Sequence, residues 1–572
     1  MKFISLEVKN FRSFKDIKIS LSNKNIFLGL NDVGKTNLLT ALRFVFDREV
    51  RRNDFVDSDY FEKNVTEPIE ITVTIDISDN DEDSQKLRAN IKGAILSGQN
   101  LILIKLFAKY DESEMSGAID LFWGGDLDKL QEIKQRGTRT DIDKVFNVFY
   151  IDSYVNMDIL FKRNIKKFIQ SDNEDDTETH KSIDKIVDDL NQKIESLSGV
   201  SYFEDKITPM YQKFNNEDIS ISVKSEIAVK GLYSNIVPYM KKSDEENTYP
   251  TAGEGRKKLV VYSLFTLLAE KEAEQKINLF LVEEPENNLH KSMQIELSQI
   301  LFGDTENYPY LFVSTHSSYI LYEMNNVTLV RIFSKRKIVS KSVLYTVPEE
   351  YQSNKKMLNR MLSEAIFANK VLLVEGPSEQ LLFDRILSWK ETYYETQGIY
   401  ILPVNGINFK NYLPILDALG IFCVLKTDND IQRRGYGIYA LGFSRINDLT
   451  GNDLQIEWCW EQEYTEDKNT FLKNSIKLRR KLYNKQKVKE TIDNIRVNNH
   501  IFLSQVDLEN DLDEVLHEEL VNYLEKDDPV KYLQGAKNNR MVELIEHLTD
   551  YDCKILYNHY NFACLKELVE WN

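Results

Sequence analysis

Residues 27–42 read "FLGLNDVGKTNLLTAL", and the expected fold follows from them. Gly29, Gly34, Lys35 and Thr36 stand in the spacing G-x-x-x-x-G-K-[ST], directly after the apolar "NIFLGL" and ahead of an apolar-periodic segment. Strand, glycine loop and helix in that order let backbone N–H groups curl around a phosphate at a helix N-terminus. Lys35 is placed to neutralise the β and γ phosphates of a nucleotide and the Thr36 hydroxyl to ligate Mg²⁺, with Asn31, Gly34 and Asn37 completing the cradle. Such a loop belongs to a parallel sheet covered by helices, so the fold class expected is α/β.

Three more stretches fit the same site. In "INLFLVEEPENNLH" (277–290) a buried-type strand delivers Glu283 and Glu284 at its carboxyl end, Glu283 to orient Mg²⁺ and Glu284 to act as general base or water-positioner. In "YLFVSTHSSYI" (310–320) another apolar strand ends at Ser314, Thr315 and His316, where a histidine can sense a γ-phosphate. In "TAGEGRKKLVVYSLFTLLA" (251–269), Gly253, Glu254, Gly255 and Arg256 precede an apolar helix whose N-terminus offers another anion site.

The whole chain bounds what these motifs belong to. Its 572 residues exceed the length at which single cores stop growing, so two or three domains are expected. Hydrophobic residues at 42% and charged residues at 29% fit a folded soluble protein. The four cysteines are scattered without a C-x-x-C pair, which argues against a disulfide framework or structural zinc. "MKFISLEVKNFRSF" alternates like a strand and lacks a leader's apolar core, and no run approaches 18 apolar residues, so a cytoplasmic protein is expected. The net charge of −18 disfavours nucleic acid on average, yet residues 473–496 hold nine basic against two acidic side chains. That stretch, with Arg433, Arg434 and Arg445 nearby, is the expected DNA contact.

Together the four stretches resemble the ABC-type ATPases of the structural-maintenance and RecF kind, and the resemblance implies ATP-dependent dimerisation. Two features depart from it: "GEGRKK" replaces the Ser-Gly-Gly core of the signature, and Glu283 replaces the usual Asp. Between the phosphate loop and the signature, "EITVTIDI" and "LILIKLFAKY" read as strands of an antiparallel subdomain over 60–125. Residues 155–215 read as polar helix with an acidic run at 171–178, without sustained heptads, and fit a compact helical insert for dimerisation. The expected layout is therefore a first ATPase part at 1–154, the insert at 155–215, a second ATPase part at 216–345, and another domain from 346 to 572.

That last domain carries no second phosphate loop. Instead, carboxylates follow apolar strands: Glu375 after "VLLV", Asp428 and Asp430 after "IFCVLKT", and Asp507 with Glu509 after "IFLSQV". Three such ends suggest carboxylates converging on one edge of a parallel sheet, where unpaired negative charge is prohibitive unless a cation sits among them. All-carboxylate ligation suits Mg²⁺ or Mn²⁺, and two such ions serve phosphodiester chemistry. If "PSEQLLFDRIL" opens a helix at Pro377 or Ser378, Glu379 lies in its first turn and joins the set. Lys537, in "LQGAKNNR", is the candidate to stabilise charge on the phosphate or the leaving oxygen.

Glu followed by Asp-x-Asp after successive strands resembles the Toprim fold, and an ABC-type ATPase joined to a Toprim domain resembles the overcoming-lysogenization-defect (OLD) family nucleases, especially the nuclease subunits of Gabija anti-phage systems. The resemblance spans Gly29 to Lys537. It implies metal ligands Glu375, Glu379, Asp428, Asp430, Asp507 and Glu509 with Lys537 as catalytic lysine. It also implies cleavage or nicking of double-stranded DNA, homo-oligomers built as dimers of dimers, and a superfamily-1 helicase partner. Rival readings are a primase or topoisomerase, for which no zinc module or dedicated cleavage domain is evident, and a RecF-like ATPase that clamps DNA without cutting it.

Overall fold

The computed structural model describes residues 1–29, 33–91, 95, 98–136, 139–154, 160, 177–198, 201, 205, 239–241, 248–250, 253–272, 275–303, 306–335, 337–406, 408–434, 437–450 and 468–571. Two units emerge. The first comprises Met1–Ile151, Gln275–Glu286 and His290–Asn572, the second Asp152–Glu274 and Asn287–Leu289.

In chain order, the strands of the first unit that matter here are β1 (Lys2–Phe11), β2 (Phe14–Ser20), β3 (Lys24–Leu28), β4 (Ile69–Asp76), β5 (Leu101–Asp111), β6 (Ser116–Gly124), β7 (Gln131–Glu132) and β8 (Phe146–Ile151). They continue with β9 (Ile277–Glu283), β10 (Tyr310–Ser314), β11 (Val327–Lys335), β12 (Lys337–Tyr345), β13 (Lys370–Val374), β14 (Ile399–Pro403), β15 (Phe422–Thr427) and β16 (Ile501–Leu503). Period-two patterning makes the first sheet. Ile69, Ile71, Val73 and Ile75 of β4, and Ile102, Ile104, Leu106 and Ala108 of β5, are all buried, and their alternate neighbours, Thr72 excepted, face outward or are half-buried. The resulting antiparallel sheet runs β2-β1-β4-β5-β6-β7, so the expected subdomain also recruits the N-terminal hairpin.

By contrast, every residue of β3, β9 and β10 is buried, the signature of strands covered on both faces. They form the centre of a six-stranded sheet in the order β8-β9-β10-β3-β11-β12, parallel except for the β11–β12 hairpin. Helix α1 (Lys35–Phe46) follows β3 and packs Leu38, Leu39, Leu42, Val45 and Phe46 inward.

The second unit contributes α2 (Thr177–Glu195) and α3 (Glu254–Glu272). It takes in the expected insert together with the segment around Gly253.

Beyond residue 345 a separate four-stranded parallel sheet forms, ordered β14-β13-β15-β16. Its helices include α4 (Lys355–Ala365), α5 (Pro377–Lys390), α6 (Leu441–Thr450), α7 (Lys468–Tyr483), α8 (Gln486–Asn499), α9 (Leu508–Leu524) and α10 (Lys537–His547). This sheet and the sheet of β3 share one unit. Buried Arg331 of β11 donates to the carbonyls of Ala368 (3.0 Å), Gly420 (3.2 Å) and Leu419 (3.4 Å) and to Asn369 Oδ1 (2.7 Å). A guanidinium buried without a carboxylate is costly, and four oxygens compensate it here. Among the described residues, no helix is long and apolar enough to cross a membrane.

Candidate functional site

The β3–α1 turn is built as its spacing requires. Gly34 has φ +105°, and a Cβ there would lie 2.4 Å from Ser13 Oγ, while a Cβ on Gly29 would lie 2.4 Å from the Ile332 carbonyl oxygen. Among the described residues no side chain caps the N-terminus of α1, as suits a site whose first N–H groups meet a ligand. Buried Lys35 extends its Nζ to the Gly29 carbonyl at 3.0 Å. Asn37 is engaged elsewhere, donating to Ser13 Oγ at 3.0 Å and accepting from Arg12 Nη1 at 3.3 Å. Asn31 lies outside the described residues.

Parallel pairing of β9, β10 and β3 brings two of the other pieces, the ends of β9 and β10, to the same edge. Glu283, buried at the end of β9, accepts hydrogen bonds from Thr36 Oγ1 and from the Tyr150 hydroxyl. Hydroxyl and carboxylate meeting in this way are the donor set that suits Mg²⁺ beside a triphosphate. Glu284 adopts φ 41° and lies 3.2 Å from His316 Nε2. Glu286, which sequence reading passed over, accepts from the His316 N–H at 2.6 Å and from Thr315 Oγ1 at 2.9 Å. Its only signal was a third carboxylate in "EEPE". Gly253 is exposed, and the helix begins at Glu254, so Gly255 and Arg256 lie inside its first turn rather than before it. Glycine is tolerated there because early N–H groups lack helix partners in any case.

In the second sheet all four strands point the same way, so their carboxyl ends share an edge. Glu375 follows β13 directly, Asp428 and Asp430 follow β15, and Asp507 is the N-cap of α9. Helix α5 opens at Pro377, placing Glu379 in its first turn, and Glu509 occupies the first turn of α9. Lys537 begins α10. Ser378 Oγ donates to Asn538 Oδ1 at 2.8 Å, tying the start of α5 to the start of α10. Asn429, between the two aspartates, donates from its N–H to the Val506 carbonyl and from Nδ2 to the Gln505 carbonyl, each at 3.0 Å. Those bonds dock the Asp428–Asp430 loop against the loop that carries Asp507. Beneath them, fully buried Lys426 of β15 pairs with Asp511 of α9 at 2.7 Å.

The electrostatics record the convergence. Burial, followed by the fields of Glu375, Glu379, Asp507 and Asp430, pushes Asp428 well above the ordinary carboxylate range. Burial and then Glu375 push Glu379 up to about 7. Burial also raises Glu509, although Lys537 opposes it from 3.6 Å. Burial disfavours charged Lys537, but Glu509, Asp428, Glu379 and Asp507 outweigh it and raise its pKa.

This donor set fits divalent metal. Glu509 Oε2 is buried without a partner, and among the described residues no donor reaches the Asp428 carboxylate. Hard carboxylate oxygens in such number suit Mg²⁺ or Mn²⁺. Among the described residues no three carboxylates are already gathered as a metal shell. Glu375 and Asp430 are paired with Arg445, and Asp507 accepts from Asn510, Gln534 and Arg479.

The expected DNA contact is corrected in part. Arg445 is buried between Glu375 and Asp430 and is not available to DNA. Arg496 is buried over the Tyr560 and Phe502 rings, and Arg479 turns inward to Asp507 and the Val506 carbonyl. Lys477, Arg480, Lys481, Lys487 and Lys489 are exposed along α7 and α8. The side chains of Arg433 and Arg434 lie outside the description.

Comparison with known proteins identifies both domains. Residues 1–321 match the AAA ATPase domain family, and residues 366–430 match the overcoming lysogenization defect protein-like, TOPRIM domain family. The chain is 43% identical over 579 residues to Endonuclease GajA of Bacillus cereus strain VD045, covering 100% of this chain and 99% of that relative. It is 22% identical over 478 residues to the Old nuclease of Escherichia phage P2, covering 75% and 77%. It is 21% identical over 463 residues to the OLD nuclease of Thermus scotoductus, covering 74% and 81%.

Proposed function

Because the chain belongs to the family of the GajA endonucleases, an AAA ATPase domain joined to an OLD-like Toprim domain, we propose that it is a metal-dependent DNA endonuclease governed by nucleotide and acting in anti-phage defence. One observation carries the reading: Glu375, Glu379, Asp428, Asp507 and Glu509 stand on one edge of a parallel sheet, where burial raises Asp428 and Glu509 and lifts Glu379 to about 7. Only a cation makes that arrangement economical.

Two Mg²⁺ or Mn²⁺ ions held by these carboxylates and Asp430 would activate water and stabilise the leaving 3′ oxygen. The protein's own part is placement and charge. Lys537, kept protonated by the surrounding acids, sits where negative charge develops on the phosphate. Exposed Lys477, Arg480, Lys481, Lys487 and Lys489 offer a track for the backbone of double-stranded DNA. At the nucleotide site Lys35, Gly34 and Thr36 would hold ATP, Glu283 would share its Mg²⁺, and Glu284 with His316 would face the γ-phosphate.

Abundant ATP is expected to inhibit cleavage by favouring an incompetent arrangement, through its differential affinity for two states. Homo-oligomers, as dimers of dimers, are supported by exposed Ile186 and Leu190 on α2 and nearby Leu197, an apolar row that a partner helix would cover. A superfamily-1 helicase partner and a cytoplasmic setting complete the reading.

The test is conversion of supercoiled plasmid to nicked or linear DNA in Mg²⁺ or Mn²⁺ without nucleotide, comparing wild type with Glu375→Ala. Scission present in wild type and lost in the variant supports the nuclease. Intact plasmid with both proteins favours a DNA-clamping ATPase instead. Cleavage that rises with ATP would refute inhibition.

A further inference from the structure

Glu375 takes all its donors on one oxygen. Oε1 accepts from Thr427 Oγ1 at 2.6 Å, from the Asp428 N–H at 2.8 Å and from Arg445 Nη1, whereas Oε2 accepts from no described residue. The other Nη of Arg445 holds Asp430 Oδ2 at 2.9 Å. One planar guanidinium therefore spans the first strand end and the Asp-Asn-Asp loop.

The helix that delivers it is fitted to that loop. The Gly442 N–H of α6 donates to the Asp430 carbonyl at 3.1 Å, and a Cβ on Gly442 would lie 2.6 Å from the Asp428 carbonyl oxygen. Arg445 follows one turn later, with its side chain only 7% exposed. Among the described residues its buried Nε finds no partner, so the residue carries an unsatisfied donor to reach these two acids. Stability alone is a poor reason for that placement.

We propose that Arg445 is a positioning residue for the metal site. By pinning Glu375 through Oε1 it leaves Oε2 for a divalent cation, and by bridging to Asp430 it sets the spacing of two ligands before the cation arrives. The two Nη groups do this together, and a single ammonium cannot reproduce the fork. The inference rests on the metal-dependent reading above.

The experiment is Mn²⁺ binding to the full chain by calorimetry and by electron paramagnetic resonance, alongside thermal unfolding of the metal-free protein. Wild type, Arg445→Gln, Arg445→Lys and Glu375→Ala are compared. Loss of an outer group that orients a ligand weakens metal binding by about ten- to a hundredfold. The expected result is weakening in that range for Arg445→Gln and a smaller loss for Arg445→Lys, which keeps the charge and the fold but not the bridge. Should the glutamine variant fail to fold, the lysine variant decides alone. Unchanged affinity would make Arg445 merely structural, and tighter binding would make it a competitor of the metal; either overturns the proposal. If wild type binds no more Mn²⁺ than Glu375→Ala, the metal reading falls and the inference with it.

Discussion

At the end of β9, three glutamates are satisfied by neighbours already in place: Glu283 by two hydroxyls, Glu284 by His316, and Glu286 by Thr315 and a backbone N–H. Beside the ends of β13 and β15, Asp428 and Glu379 are buried more deeply than Glu284 and Glu286; burial raises both, Glu379 to about 7, and among the described residues no donor reaches the Asp428 carboxylate. Both edges are carboxyl ends of parallel strands in the same unit. The difference teaches that burial of an acid is cheap where local donors are supplied and becomes a demand for a cation where they are not. The first edge is assembled before its ligand comes, whereas the second stays incomplete without one.

The strongest way to break this comparison is Asp428→Ala. Plasmid scission should fall by at least about a thousandfold, since several kcal/mol of charge stabilisation is lost, while nucleotide binding persists. Equal loss of both would mean that the two edges are not separable sites. Lys426→Met should leave Asp511 buried and unpaired at a cost of about 3–5 kcal/mol in chemical denaturation. Adding Asp511→Leu should recover much of that stability, and cleavage with it, if the pair's task is to hold β15 against α9.

The pH dependence of the metal-free protein sharpens the contrast. Glu379 is raised from 4.5 to about 7 by burial and then by Glu375, so the folded state binds the extra proton between those values. Stability from this group is full below pH 4.5 and is lost as pH rises through about 7, by no more than about 3 kcal/mol. Urea titrations of wild type and Glu379→Gln from pH 5 to 8 check it: the variant should flatten the decline. The smallest expected effect is on the other edge. Lys35→Ala should weaken nucleotide binding by about a hundredfold, as a charged hydrogen bond to phosphate is removed, and leave nucleotide-free nicking intact.

How much of this was legible depended on how local each feature is. The phosphate loop was readable because Gly29 through Thr36 are contiguous and their spacing is the geometry. The strand-end acids were readable because each follows its own apolar run, and the helix start at Pro377 put Glu379 where expected. Arg445 was misread as a DNA contact because a lone arginine on a helix gives no sign of what lies across from it. Arg496, counted in a basic stretch, proved to be buried among rings for the same reason.

The sequence by itself determined which residue types stand at strand ends and helix starts, since period, glycine spacing and proline act within a few residues. Only the tertiary structure decided which charges meet: Arg445 with Glu375 and Asp430, Lys426 with Asp511, Arg331 with the carbonyls at Ala368 and Gly420. Those partners lie 15 to 89 residues apart. What joins them is the parallel order of strands, and with it the cost of burying charge unpaired.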